Sequence, residues 1–135
     1  MFFRLMYQSR NLLRRPTGSG QLLKIVRSAE RNNPALAITG ALLFDKDRFF
    51  QVLEGESSSV TNLFIRICQD PRHKDICLID AQSVSDRRFP NWSMALIEKP
   101  RATLDHEPLS AEGLLKFMCK QLEASNGPIQ VSVAV

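Results

Sequence analysis

The sequence predicts an α+β domain: a ferredoxin-like βαββαββ sheet with two helices on one face and a C-terminal helical cap on the other. Three observations predict it. Strand-like runs and helical stripes follow one another in that order. The first strand is apolar on both faces, and an amphipathic stretch after the last strand needs a surface to bury against.

Taken in order, Phe3, Leu5 and Tyr7 share one face of a strand from Phe2 to Gln8, with Phe2, Arg4 and Met6 opposite, as in an interior strand. Arg14 to Gly20 has loop composition, and Ser19 can cap the helix that follows. Leu22, Ile25, Val26 and Ala29 form its apolar stripe, and Pro34 ends it, leaving Asn32 and Asn33 at the C-terminal end. Ile38 to Phe44 and Arg48 to Glu54 read as a hairpin turning at Asp45, Lys46 and Asp47. A second helix carries Val60, Leu63, Phe64 and Ile67 after Ser57 to Ser59, and Asp70 and Pro71 stop it. Ile76 to Ala81 and Trp92 to Ile97 are strands joined by a polar segment from Ser83 to Asn91. Ser110 then caps a helix with Leu114, Leu115, Phe117, Met118 and Leu122 inward, stopped at Asn126, Gly127 and Pro128. The apolar tail from Ile129 to Val135 is either an added strand or a frayed end.

A chain of 135 residues, 44% hydrophobic and 24% charged, suits one domain that folds by itself. We divide it into a core unit, residues 1–98, and a C-terminal helical extension and tail, residues 99–135. No run approaches the ~18 apolar residues of a membrane span, and Arg4 interrupts the apolar N-terminus, so a cytoplasmic protein without membrane contact is expected. Cys68, Cys77 and Cys119 are odd in number and lack CxxC spacing, which points to reduced thiols and to neither disulfides nor a metal site. The net charge of +4 is spread along the chain and reads as a solvated basic surface, not a nucleic-acid footprint.

Gln51 is what the pattern alone does not explain, because its amide lies on a strand face between Phe49 and Leu53 and must find hydrogen-bond partners there. From pattern alone, a core glutamine satisfied by backbone is the simplest account. His73 near Asp70 and Cys68 lacks any sign of triad geometry, so no catalytic residue is assigned and the chain is not expected to be an enzyme. An acylphosphatase-like reading has only Gly18-Ser19-Gly20 to stand on. The alternative from another class is an RRM-like nucleic-acid module, for which Phe49-Phe50 is the nearest aromatic pair, without the Lys/Arg-Gly-Phe context such modules use.

Several fragments, in order and at matching spacing from Arg4 to about Leu96, resemble one family. They are Tyr7-Gln-Ser9, Arg31-Asn32-Asn33, Ile38-Thr39-Gly40, Phe49-Phe50-Gln51-Val52-Leu53-Glu54-Gly55, Asp70-Pro71-Arg72-His73 and Arg88-Phe89-Pro90-Asn91-Trp92-Ser93-Met94. The family is that of BLUF domains, flavin-based blue-light sensors, here of the short single-domain type. The resemblance implies the same βαββαββ fold, with FAD or FMN held between the two helices. It further implies a photoreceptor in which photoinduced transfer from Tyr7 rearranges a Tyr-Gln-flavin hydrogen-bond network at Gln51. Trp92 and Met94 match the pair that couples the glutamine to the last strand. Asn33 matches the position that holds the flavin's polar edge, with Asn32 beside it among the cofactor-binding positions, Ile25 and Ile67 match the aliphatic residues on either side of its ring, and Arg66, Asp70, Arg72 and His73 polar positions near the ring edge and ribityl chain. With no output domain of its own, such a chain is expected to signal through its C-terminal helix to an unknown downstream protein or to a homo-oligomer. Three departures stand out: a longer loop from Arg10 to Ser19, Ala37 where a glycine is usual, and Pro34 directly after Asn33.

Overall fold

The computed structural model describes residues 1–11, 37–45, 48–71, 73–90, 95–98 and 110–124. The expected first helix, its Ser19 cap and the C-terminal tail lie outside the described residues. The elements are β1 (Phe2–Asn11), β2 (Thr39–Asp45), β3 (Arg48–Gly55), α1 (Ser57–Cys68), β4 (His73–Val84), β5 (Ala95–Glu98) and α2 (Ala111–Ala124). The strands form a five-stranded sheet in the order β4-β1-β3-β2-β5. β5 runs parallel to β2, and the other neighbours are antiparallel.

The two faces of the sheet carry separate cores, as the alternation of β1 requires. Leu5 and Tyr7 join Ile38, Leu42, Phe49 and Leu53 beneath Val60 of α1, with Leu63, Phe64 and Ile67 packed alongside. Met6, Ala41, Leu43, Phe50 and Val52 project the other way, where Leu114, Leu115, Met118 and Leu122 of α2 cover them. The C-terminal helix therefore caps the second face as its apolar stripe predicts. Ser110 starts it, its hydroxyl accepting from Gly113 N at 3.0 Å and its carbonyl from Leu114 N at 2.9 Å.

Several boundaries differ from the sequence expectation, and β1 runs on past Gln8 to Asn11 because its pairing with β3 and β4 continues there. β4 extends beyond Ile76–Ala81 in both directions because it is the edge strand next to β1, so Lys74, Gln82 and Ser83 pair by backbone while their polar side chains meet water. Its register against β1 shifts twice, and Asp75 adopts a positive φ of 55°. α1 is capped by Glu56, whose carboxylate accepts from Ser59 N, and not by a serine of the Ser57–Ser59 run. Those hydrogen bonds from Ser58 and Ser59 lower the Glu56 pKa.

Ala37 has φ 55°, in the left-handed region where a Cβ is strained and a glycine is not. The Arg87 guanidinium helps to fix it there, donating to its carbonyl at 2.8 Å. Ala37→Gly is accordingly expected to raise stability by about 1 kcal/mol, the relieved left-handed strain exceeding the added freedom of the unfolded chain. Urea unfolding of the two proteins checks this, and an unchanged or lowered midpoint would contradict it.

Candidate functional site

The site is built on two adjacent interior strands, β1 and β3. In the β1–β3 register Tyr7 lies directly opposite Gln51, and Gln51 is also opposite Leu42 of β2. Directly opposed residues share a face with Cβ atoms about 4.5–5.5 Å apart, which brings the phenol within reach of the amide. The Tyr7 hydroxyl donates to Gln51 Oε1. Both side chains are buried, at 2% and 6% exposure, in the apolar cluster under α1. The glutamine that pattern reading left to the backbone thus has a side-chain partner from a strand 44 residues away.

α1 supplies the roof. Phe64 packs on the Tyr7 ring with centroids 5.4 Å apart and planes tilted by 52°. Ile67, one turn further on, is half-buried against the same cluster. Arg66 is exposed in the last turn, and Asp70 is half-buried just beyond it, its N–H donating to the Ile67 carbonyl at 2.9 Å. Tyr7, Gln51 and Ile67 therefore come together on one face, with Asp70 at the adjoining helix end. His73 opens β4, but its side chain, like Ile25, Asn32, Asn33, Arg72, Trp92 and Met94, lies outside the described residues.

Burial pushes the Tyr7 phenol far above its ordinary pKa of 10.0, and Cys68 and Asp70 push it further in the same direction. The fold holds the proton where an unfolded tyrosine releases it. The resulting stabilisation is complete below pH about 10 and is lost as pH rises above that value. Tyr7 is the only tyrosine of the chain, so phenolate absorbance reports it alone. In an alkaline titration we expect phenolate to appear only together with loss of the circular-dichroism signal. Ionisation at an ordinary midpoint in a folded sample would overturn the burial argument.

Sequence reasoning missed a second cluster on the opposite face. Arg4 and Glu54 are also directly opposed across β1 and β3, and Arg4 Nε lies 2.9 Å from Glu54 Oε2 with both residues buried. Opposite charges at matching strand parity were the available signal, but Arg4 drew notice only as a break in an apolar run. Phe49 and Phe50 belong to opposite cores, under α1 and α2 respectively, so the face that an RRM would keep open is covered. Among the described residues, no helix is long and apolar enough to cross a membrane.

Comparison with known proteins agrees with this geometry. The chain matches the family described as "BLUF: Sensors of blue-light using FAD" over residues 2–95. It is 38% identical over 81 residues to the photoactivated adenylate cyclase subunit beta of Euglena longa, covering 59% of this chain and 9% of that protein. It is 39% identical over 75 residues to the blue light- and temperature-regulated antirepressor BluF of Escherichia coli (strain K12), covering 56% of this chain and 19% of the antirepressor. The dark-state structure of the BLUF protein BlrB superposes with a TM-score of 0.79 at 33% identity, covering 90% of this chain and 97% of that one. The chain thus spans only a small part of the cyclase and antirepressor, but nearly all of BlrB. The buried Tyr7–Gln51 pair, the two-faced sheet and these matches identify the chain as a member of the BLUF family, flavin-based sensors of blue light that use FAD.

Proposed function

We propose that this chain is a blue-light photoreceptor in which the Tyr7–Gln51 hydrogen bond is the switched element, and that it signals without turning over a substrate. The observation that carries the reading is the buried pair itself: a phenol donating to a carboxamide on the α1 face of the adjacent strands β1 and β3. The donor set fits FAD. Leu5, Leu42 and Leu53 make the surroundings of the pair apolar, half-buried Ile67 is the aliphatic side chain open to a flat ring, and the amide of Gln51 carries both a donor and an acceptor for its polar edge. We assign flavin binding to Tyr7, Ile25, Asn32, Asn33, Gln51, Arg66, Ile67, Asp70, Arg72 and His73, and coupling of the amide to the last strand to Trp92 and Met94.

Bound FAD supplies light absorption and electron acceptance. The chain supplies the rest: Tyr7 holds a proton at Oη and directs it at Gln51 Oε1, and the neighbouring apolar side chains keep water from competing for that bond. An amide that rotates or tautomerises exchanges an acceptor for a donor at the same place, so the pair has two distinct arrangements.

We further propose a division into a photoactive unit, residues 1–98, and an output extension, residues 99–135. Light would loosen or re-dock α2, and a downstream protein or a second copy of the chain would read the change in the cytoplasm. The shared core of α2 with Met6, Phe50 and Val52 supports this, because a docked helix feels any change in the strands beneath it. The absorption spectrum of the purified protein tests the reading. It should be yellow and shift slightly to the red under blue light, reverting in darkness. A folded protein that stays colourless with added FAD, or bleaches irreversibly, would reject it.

A further inference from the structure

We infer that the buried Arg4–Glu54 pair and the loop it holds, Arg87 to Phe89, form the mechanical link between the photoactive pair and α2. This inference rests on the photoreceptor reading above. β1 and β3 are tied together by side chains twice. Tyr7–Gln51 joins them on the α1 face and Arg4–Glu54 on the α2 face, three positions along each strand. That offset is about 10 Å at the rise of an extended strand, so a change in how one pair holds the two strands is felt at the other.

Glu54 is fully buried and accepts from groups outside the two strands as well. Arg88 N donates to it at 2.9 Å and Phe89 N at 2.9 Å, while Arg4 reaches past it to the Asp86 carbonyl at 3.3 Å. A carboxylate fixed by charge-assisted bonds on several sides is costly to displace, and the loop must follow it. The loop's three residues then grip three bodies. Arg87 donates to Thr39 Oγ1 at 2.8 Å and to the carbonyls of Glu54 and Ala37, its guanidinium 4.5 Å from the Phe2 ring centroid. Phe89, 1% exposed, sits in the core shared with Leu114, Leu115 and Met118. Arg88 reaches α2, donating to Glu112 Oε2 at 2.6 Å. The same loop leads directly to Trp92 and Met94 in sequence.

A plain structural staple would show the same contacts in the dark, so coupling must be measured. The experiment is hydrogen exchange of residues 111–124 in the full, FAD-loaded chain, in darkness and under blue light, for wild type, Arg88→Ala, Glu112→Ala and the double variant. Both substitutions fall on partly exposed side chains and leave the backbone bonds to Glu54 in place. Wild-type α2 is expected to exchange about 5-fold faster in light, the lower end of ordinary coupling. Each single variant should keep the full red shift while that ratio falls towards one, and the double variant should be no worse than either single. Unchanged ratios in both single variants, losses that simply add in the double, or a wild-type α2 indifferent to light while the flavin shifts would each overturn the link. A wild-type spectrum that light does not move would instead reject the photoreceptor reading beneath it.

Discussion

Tyr7→Phe is expected to give a folded, yellow protein whose spectrum no longer shifts under blue light. The substitution removes one hydroxyl and keeps the ring that packs on Phe64, so the α1-face core loses no volume. The hydroxyl's partner is Gln51 Oε1, and phenylalanine offers that oxygen neither a donor nor a proton. Removing one partner of a buried bond costs about 1–3 kcal/mol, too little to unfold the domain. The loss of the light response, by contrast, should be essentially complete, because this residue is one of the two partners in the bond we propose is switched.

Gln51→Ala should fail in the same assay for the complementary reason, since it keeps the phenol and removes the group with two orientations. FAD should remain bound to both variants, because most of its surface would meet apolar side chains and polar groups elsewhere. Difference spectra of dark and illuminated samples, with flavin content measured by release on denaturation, check both. A normal photocycle in either variant would remove Tyr7 or Gln51 from the assigned role. Loss of flavin would mean that the substituted side chain anchors the ring.

How much of this was legible in the sequence follows from which forces act locally. The alternation in β1 announced an interior strand, and the stripe Leu114, Leu115, Met118 and Leu122 announced a helix that needed a second sheet face. Both are local patterns with a single burial solution. The full length of β4 was not legible: His73, Lys74, Gln82 and Ser83 carry no apolar alternation, and what makes them a strand is backbone pairing with β1. Tyr7 and Gln51 were found through family resemblance, whereas pattern alone gave only an amide in need of a partner. The Arg4–Glu54 pair went unread because the two residues lie 50 positions apart, and only the register of β1 on β3 makes them neighbours.

Gly40→Ala should be the most damaging single methyl that can be added to the described glycines. Gly40 lies in β2 opposite Leu53, and a Cβ built on it would fall 2.0 Å from the Val52 carbonyl oxygen and 3.0 Å from the Val52 carbonyl carbon. Those atoms are backbone of β3, so no side-chain rotation relieves the collision, and β2 must separate from β3 beside Leu53 and Val52, both fully buried. Damage of this kind belongs with the exceptional substitutions, at about 4 kcal/mol or more, a large fraction of a small domain's stability. Gly55→Ala is the control. Its Cβ would meet the Ala37 carbonyl at 3.1 Å, a contact that a few tenths of an ångström of movement accommodates. Expressed side by side, Gly40→Ala should be insoluble or lack a cooperative thermal transition, and Gly55→Ala should stay folded with a modestly lowered midpoint. Because β3 carries Gln51 one residue before Val52, any Gly40→Ala protein that does remain soluble should also show a weakened red shift. A soluble Gly40→Ala with wild-type melting and a wild-type spectrum would mean that β2 and β3 are not packed as closely there as the structure places them.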